Sequence, residues 1–282
     1  RHFKVRILVA QLRINIPDEN VWDILVYRKI VRYRDFVPGR HEMKYSFESY
    51  VRYSEIGEDR SLTLNSVINY FQDCSTFHSE HAGVGIDYLQ EKNQVWVLSS
   101  CQIIVERYPK LCEKIRITTW PYAFKRFLGS RNFTMEDEKG ATVAYANSLW
   151  TYLDLESGMP VNVSEQQVAA YSLEEKYPME YAPRKIKMPE AFVEYESFPV
   201  RPHHLDTNHH VNNGQYVAMA EEYVPAGFCV HQMRAEYKGQ AVLGDIIVPK
   251  VKSEQGICTV ALCGENGEPY AVVELKEKKE WN

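Results

Sequence analysis

The stretch His203-His204-Leu205-Asp206-Thr207-Asn208-His209-His210-Val211-Asn212-Asn213-Gly214-Gln215-Tyr216-Val217-Ala218-Met219-Ala220-Glu221-Glu222-Tyr223-Val224-Pro225 changes character halfway. Its first part is polar and dense in His and Asn. Its second part puts Tyr216, Val217, Ala220, Tyr223 and Val224 on one face at helical spacing, and Pro225 stops the run. Asn212 or Asn213 suits the N-cap position of that helix. Strand-like runs follow near 228–237, 245–251, 257–262 and 270–275, and Gly264-Glu265-Asn266-Gly267 carries a strong hairpin signal. An extended entry from Phe192 to about Pro202 precedes the polar loop. The unit is therefore entry, loop, helix and four strands.

The same order occurs earlier in the chain. Residues 45–54 read as an extended entry. Leu64, Val67, Ile68, Phe71 and Cys74 recur at helical spacing, with Ser61 or Thr63 available as a cap. Strand-like runs follow at 96–105, 114–120, 127–134 and 142–153. In the last of these Val143, Tyr145, Leu149 and Leu153 share one parity. Glu138-Lys139-Gly140 before one strand echoes Glu265-Asn266-Gly267 before another. One helix wrapped by an antiparallel sheet, built twice, is an α+β plan. Two such halves are expected to pair their sheets edge to edge and bury both helices.

This reading divides the chain into a first half at 43–157, a linker at 158–191 and a second half at 192–282. Pro160, Pro178, Pro183 and Pro189 punctuate the linker, which has room for a short helix near 164–171. Residues 1–42 hold nine Lys/Arg against five Asp/Glu. They lack the layout of a signal peptide. They read as an upstream extension outside the fold, with Met43 as a natural start; a short β-rich element docked on the core is the alternative.

A net charge of −5 gives no overall case for nucleic-acid binding. The six cysteines, Cys74, Cys101, Cys112, Cys229, Cys258 and Cys263, form no C-x-x-C pair, which argues against structural zinc and a dense disulfide framework. Reduced thiols point to the cytoplasm. No apolar run is long enough to span a bilayer.

The polar loop at 203–213 sits before a helix, at the positive end of its dipole, where free backbone N–H groups can hold a developing oxyanion. His210 has the chemistry of a general base, Asp206 can orient it or polarise water, and Asn208 offers an amide to substrate or water. A capped, solvated turn is the bland alternative. A metal site built from His203, His204, Asp206, His209 and His210 is another, although no H-E-x-x-H or comparable ligand spacing occurs. Absence of G-x-S-x-G argues against an α/β-hydrolase, and neither G-x-G-x-x-G nor a P-loop is present, so no cofactor is called for.

The run Asp206-Thr207-Asn208-His209-His210-Val211-Asn212-Asn213-Gly214-Gln215-Tyr216 resembles the D-x-N-x-H-V-N-N-x-x-Y signature of the acyl-acyl carrier protein thioesterases of plants and bacteria. Tyr53-Ser54-Glu55-Ile56-Gly57, Tyr108-Pro109-Lys110, Trp120–Gly129 with Arg131, and Asp154–Val161 resemble that family's first half, in order. The resemblance runs from about residue 46 to about 276. It implies a tandem double hot-dog fold, with two helices each wrapped by an antiparallel sheet. It implies hydrolysis of fatty acyl-acyl carrier protein to free fatty acid, ending chain synthesis. An acyl-CoA thioesterase and a non-catalytic acyl-binding protein are the rival readings.

The resemblance also places Asp206, Asn208 and His210 at the family's catalytic positions. The family often adds a Glu three residues after a strand Tyr. Here that Tyr is Tyr237, and the position holds Gln240, which cannot serve as a carboxylate. Water activation then falls to His210 and Asp206, with Gln240 and Asn213 at most positioning water or substrate. Where some members carry Cys stands Ala241. The first half is expected to house the acyl chain, with Phe71, Phe77, Trp96 and Trp120 either lining a tunnel or forming plain core. An acidic carrier protein calls for a basic docking patch, for which Lys125, Arg126 and Arg131 are candidates, as are Arg184, Lys185 and Lys187. Two fused halves already make the two-sheet unit, and a homodimer remains open.

Overall fold

The structure is a computed structural model that describes residues 44–188 and 190–278. The expectation for residues 1–42 lies outside them. Strand β1 (Tyr45–Tyr50) leads through a loop into helix α1 (Leu64–His81). Thr63 caps that helix, its Oγ1 accepting the Ser66 N–H at 3.2 Å. Leu64, Val67, Ile68, Phe71 and Cys74 are all buried, as the spacing requires. A short helix that the sequence reading missed, α2 (Ile86–Glu91), comes next. It is fastened by Glu80, whose Oε1 accepts the Ile86 N–H at 2.8 Å. Strands β2 (Gln94–Val105), β3 (Lys114–Lys125), β4 (Leu128–Asp137) and β5 (Thr142–Asp154) complete the first half.

The linker contributes helix α3 (Glu165–Ala169), capped by Ser164. The second half repeats the plan. The expected long entry is reduced to two dipeptide strands, β6 (Val193–Glu194) and β7 (Phe198–Pro199). Helix α4 (Asn213–Glu221) follows, and Asn212 is its cap, with Oδ1 accepting the Gly214 N–H at 2.8 Å. Tyr216, Val217 and Ala220 are buried, whereas Tyr223 and Val224 lie past the last helical residue. Strands β8 (Val230–Tyr237), β9 (Ile246–Glu254), β10 (Ile257–Cys263) and β11 (Pro269–Glu277) close the chain. The β10–β11 turn is the expected hairpin: the Gly264 N–H donates to Glu268 O, and Gly267 takes φ of 81°.

All these strands join one sheet of order β1-β3-β4-β5-β2-β8-β11-β10-β9-β6, with β7 pairing β9. Each half shows the same order: entry strand, second, third, fourth, first. The halves meet where β2 and β8 run antiparallel, from Ser100↔Glu236 through Gln102↔Arg234 to Ile104↔Gln232. Across this join Phe133, Ala146, Ile103 and Met233 stand in register on the face that carries the helices, and all are buried. Phe71 of α1 meets Phe133 there, with ring centroids 5.1 Å apart.

The parity picked out in β5 is the less buried one. Ala144, Ala146, Ser148 and Tyr152 of the other parity are buried, while of the parity picked out Val143 is buried and Tyr145, Leu149 and Leu153 are only partly so. Small side chains under a helix leave room for its bulk, so the inner face of this strand is the inconspicuous one. Tyr145 instead packs against Tyr177 of the linker, with tilted rings at 5.0 Å between centroids. The linker crosses the outer face of the sheet as a strap, held by side-chain amides and charges. Tyr177 N–H donates to Asn132 Oδ1 at 3.1 Å, Ala182 N–H to Gln102 Oε1 at 2.9 Å, and Ile186 N–H to Glu236 Oε2 at 3.0 Å. These partners belong to β4, β2 and β8, so the strap ties both halves.

Helices α1 and α4 touch at Gly214. A Cβ there would stand 2.8 Å from Asn65 Oδ1, so glycine permits the approach. Near the other end of α4, burial raises the carboxyl of Glu221 from its ordinary 4.5 to about 7. The folded state then holds a proton that the unfolded state has released between those values. This contribution is fully present below pH 4.5 and is lost as pH rises through 7. Glu221→Gln should therefore leave stability unchanged near pH 4 and raise it at pH 8, by up to about 3 kcal/mol. Urea unfolding at the two pH values measures the difference.

Candidate functional site

The polar run folds into a tight loop around the carboxylate of Asp206. Its Oδ1 accepts the Asn208 N–H at 2.7 Å and the His210 N–H at 3.2 Å. The Asp206 N–H donates to His210 O at 2.8 Å, and the His209 N–H to Asp206 O at 3.1 Å. His209 takes φ of 63°, the left-handed value such a turn needs. Asp206 is thus a brace for the loop as well as a candidate reacting group. Its Oδ2 is engaged by no described residue.

Outside contacts fix the loop against α4 and the end of β8. Val211 N–H donates to Ala241 O at 2.9 Å, and His210 bridges to Val242. Two tyrosines hold this junction. Tyr216 Oη accepts the Ala241 N–H at 2.9 Å, and Tyr237 Oη donates to Asn213 O at 3.1 Å. The sequence reading placed Tyr216 on the helix face and at the end of the family signature, and took Tyr237 as the strand landmark for Gln240, but gave neither a part in holding the loop.

The first half carries the same loop without the same side chains. Gly57 N–H donates to Ser61 O at 2.9 Å, Arg60 N–H to Gly57 O at 3.0 Å, and Leu62 N–H to Pro109 O at 2.7 Å. Arg60 takes φ of 62°, matching His209. Gly57, Asp59 and Ser61 stand where Asp206, Asn208 and His210 stand in the second half. Ser61 Oγ donates to Asp59 Oδ2 at 2.5 Å and accepts from Lys110 Nζ at 2.6 Å, so these groups satisfy one another.

A cavity of about 490 Å³ is lined jointly by the second-half loop and the first half. Asp206, Thr207, Asn208 and Asn213 supply the loop side. Helix α1 contributes Gln72, Ser75, Thr76 and Ser79, and the sheet contributes Trp96, Phe124 and Trp150. Its volume falls within the roughly 300–1,000 Å³ of small-molecule sites. Of the expected site residues, Asp206, Asn208, Asn213 and Arg131 reach this cavity. His210 does not line it. That residue is half-buried beside the cavity, and its ring makes no hydrogen bond among the described residues. Gln240 is exposed and does not line it either, although its neighbour Ala241 is buried against the loop.

The aromatic candidates sort differently. Phe71 is core, and Phe77 is exposed, with its edge on Phe47. Trp120 is buried under the strap, its Nε1–H donating to Glu175 O at 2.8 Å. Only Trp96 of the four lines the cavity. Among the docking candidates, Lys125 and Arg126 are exposed at the β3–β4 turn, and Arg184, Lys185 and Lys187 are exposed on the strap. Arg131 corrects the reading. It is buried at 8% exposure, on the inner face of β4, and is unavailable to a docking partner. Its Nη1 donates to His78 Nδ1 at 2.9 Å and to Thr119 Oγ1 at 3.3 Å. Burial first, and the adjacent guanidinium second, push His78 down to about 3, so His78 stays neutral and accepts this bond.

Among the described residues no group of three or more His, Cys, Asp or Glu is placed to hold a metal ion, and no helix is long and apolar enough to cross a membrane.

The chain matches two family models, the acyl-ACP thioesterase N-terminal domain over residues 42–171 and the acyl-ACP thioesterase C-terminal domain over residues 187–276. It is 26% identical to a chloroplastic palmitoyl-acyl carrier protein thioesterase of Arabidopsis thaliana, over 67% of this chain and 50% of that protein. The chain spans about half the length of the first curated relatives it matches. Its fold is shared with an acyl-ACP thioesterase of Bacteroides thetaiotaomicron, at a TM-score of 0.77 and 22% identity, covering 84% of this chain and 98% of that one. It is also shared with the 12:0-ACP thioesterase of Umbellularia californica, at a TM-score of 0.75 and 19% identity, covering 86% and 100%. The tandem antiparallel halves are thus the double hot-dog arrangement expected from the sequence, and this chain belongs to the acyl-ACP thioesterase family.

Proposed function

We propose that this protein hydrolyses fatty acyl-acyl carrier protein thioesters to free fatty acid and carrier protein, ending chain synthesis. The observation that carries this reading is the shared cavity: a polar, water-accessible loop from one half opens into an aromatic-walled space from the other. Residues 43–157 house the acyl chain, residues 192–282 carry the chemistry, and residues 158–191 link them. The curated relatives' names support the substrate class.

In this mechanism the free Oδ2 of Asp206 holds a water beside the thioester carbonyl. His210, tied to Asp206 by the Asp206 N–H to its O and by its own N–H to Asp206 Oδ1, receives the proton as the water oxygen attacks, after its ring has turned into the cavity from outside it. The N–H of Asn213, first residue of α4, is taken by no described partner and faces the developing oxyanion with the helix dipole behind it. Asn208 fixes substrate or water through its amide. Collapse of the tetrahedral intermediate breaks the C–S bond, and His210 returns the proton to the departing thiolate. No cofactor or metal enters these steps. Gln240 can position water only after a side-chain movement, since it lies outside the cavity.

The acidic carrier protein docks through Lys125 and Arg126 at the β3–β4 turn, by charge complementarity. Six free cysteines fit a reducing compartment, the cytoplasm. An exposed Gln240 and a His210 ring outside the cavity favour one second reading, an acyl-binding protein without turnover.

Two measurements test the proposal. Asp206→Asn keeps an oxygen for both backbone N–H groups, so unfolding free energy should change by less than about 0.5 kcal/mol. It should still lower kcat by about 10²- to 10⁴-fold, as should His210→Ala. Absent hydrolysis in the wild type, or kcat unchanged in both variants, removes the catalytic assignment. The second measurement compares carriers. kcat/KM should favour acyl-acyl carrier protein over the matching acyl-CoA, and Lys125→Glu with Arg126→Glu should raise KM for the protein carrier about tenfold while sparing the CoA ester. A strong preference for CoA esters overturns the carrier assignment.

A further inference from the structure

A second cavity, of about 330 Å³, adjoins the one at the polar loop, and its wall is polar throughout. One side is Arg52, Glu55, Ser66 and Tyr70, which satisfy one another. Arg52 Nε donates to Glu55 Oε1 at 2.8 Å, Ser66 Oγ to Glu55 O at 2.9 Å, and Tyr70 Oη to Glu55 Oε2 at 2.7 Å. The other side is Asn69, Gln72 and Asp73, spaced i, i+3 and i+4 on α1. Their side chains take part in no hydrogen bond among the described residues. Asn212 completes the lining, with its Oδ1 committed to the Gly214 N–H and its Nδ2 without a described acceptor.

The chemistry of this wall selects its ligand. Arg52 and Glu55 form an ion pair, so the unmatched charge of the lining is the carboxylate of Asp73. An anionic ligand would meet that charge and no free cation. Asn69 and Gln72 each offer a carbonyl oxygen and an NH2 group, and Asp73 offers two acceptor oxygens. The set suits a neutral chain carrying amide and hydroxyl groups. A hydrocarbon chain would desolvate all three side chains and return no hydrogen bond.

The two cavities meet at the candidate reacting groups. Gln72 lines both of them. Asn212 lines the second cavity, and its neighbour Asn213 lines the first, together with Asp206 and Asn208. A thioester carbonyl carries two arms, the acyl chain on carbon and the thiol part on sulfur. A carbonyl held at Asn213 therefore has an aromatic-walled space on offer for one arm, with Trp96, Phe124 and Trp150, and a space of amides and a carboxylate for the other.

Resting on the thioesterase reading, we infer that the second cavity binds the pantetheine arm of the thioester, a neutral chain of two amides and a hydroxyl, through the side chains of Asn69, Gln72 and Asp73. Gln72, at the junction, takes the amide nearer the sulfur. Asn69 and Asp73 take the second amide and the hydroxyl, with Asp73 accepting from an N–H or O–H. The phosphate at the end of the arm stays outside, away from the Asp73 carboxylate. Carrier protein and CoA share this arm, so the inference holds for either.

The test uses one fatty acyl group on two thiols, pantetheine and N-acetylcysteamine, the second of which keeps only the amide next to the sulfur. The wild type should show at least tenfold higher kcat/KM for the pantetheine ester. Asn69 and Asp73 are exposed at their outer edges, so a double variant, Asn69→Ala with Asp73→Ala, is expected to fold. It should reduce that ratio to within about threefold of unity through the pantetheine ester alone, leaving the N-acetylcysteamine ester within about threefold of its wild-type rate. A wild-type ratio near unity overturns the inference with no variant needed. So does a tenfold ratio that survives in the double variant, and so does an equal loss with both esters, which is the mark of a merely structural role. Failure of the wild type to hydrolyse either ester, or the acyl-acyl carrier protein itself, instead removes the thioesterase reading. Calorimetric titration of the wild type with the two corresponding thioethers, which cannot be hydrolysed, then decides the inference by itself: at least tenfold tighter binding of the pantetheine thioether supports it, and equal or weaker binding overturns it.

Discussion

Pairing of β2 with β8 is the constraint on which the rest depends. Those two strands join five-stranded sheets into one and set Ile103 against Met233 at the centre of the core. Because they run antiparallel about the Gln102–Arg234 pair, each half presents its helix to the other's. Helix α1 therefore lies against the N-terminus of α4, with Gly214 at the contact. A loop carried by the second half then opens into a space walled by the first. The strap reinforces the same join from behind, through Gln102 on β2 and Glu236 on β8.

The fold was legible where burial imposes a period. Leu64, Val67, Ile68, Phe71 and Cys74 marked α1 because a helix over a sheet must hide one stripe. Caps and turns were legible for a related reason, since Thr63, Asn212 and Gly267 do local chemistry that needs no partner far away. Strand faces were harder. In β5 the eye goes to Tyr145 and Leu149, yet Ala144 and Ala146 lie under the helix, because a crowded interface favours small side chains. Helix α2 escaped because one turn and a half has too few apolar positions to show a period, and its anchor is the distant carboxylate of Glu80.

The site divided along the same line. Asp206, Asn208 and Asn213 sit close together in the chain, and the loop that gathers them is stabilised from within, so the sequence carried their grouping. Gln72 and Arg131 reach the cavity from α1 and β4, which no spacing in the chain could bring together. Arg131 was misread for a simple reason. Charge normally implies surface, and only tertiary context could place it on an inward-facing strand position beside His78. The polar row at Gln72, Ser75, Thr76 and Ser79 was present as a helical period, but of the polar kind that ordinarily marks solvent.

The twin loops have an evolutionary consequence. At Gly57–Ser61 the backbone path survives, while its side chains close on Lys110. A symmetric pair of identical chains would be obliged to change both copies of every residue together, so any adjustment of the binding wall would recur beside the reacting groups. Fusion of two copies into one polypeptide lifts that obligation. The segments that wall the cavity and the loop that opens into it are then separately heritable. Selection can therefore reshape α1 and β4 while the loop at Asp206 is left as it stands.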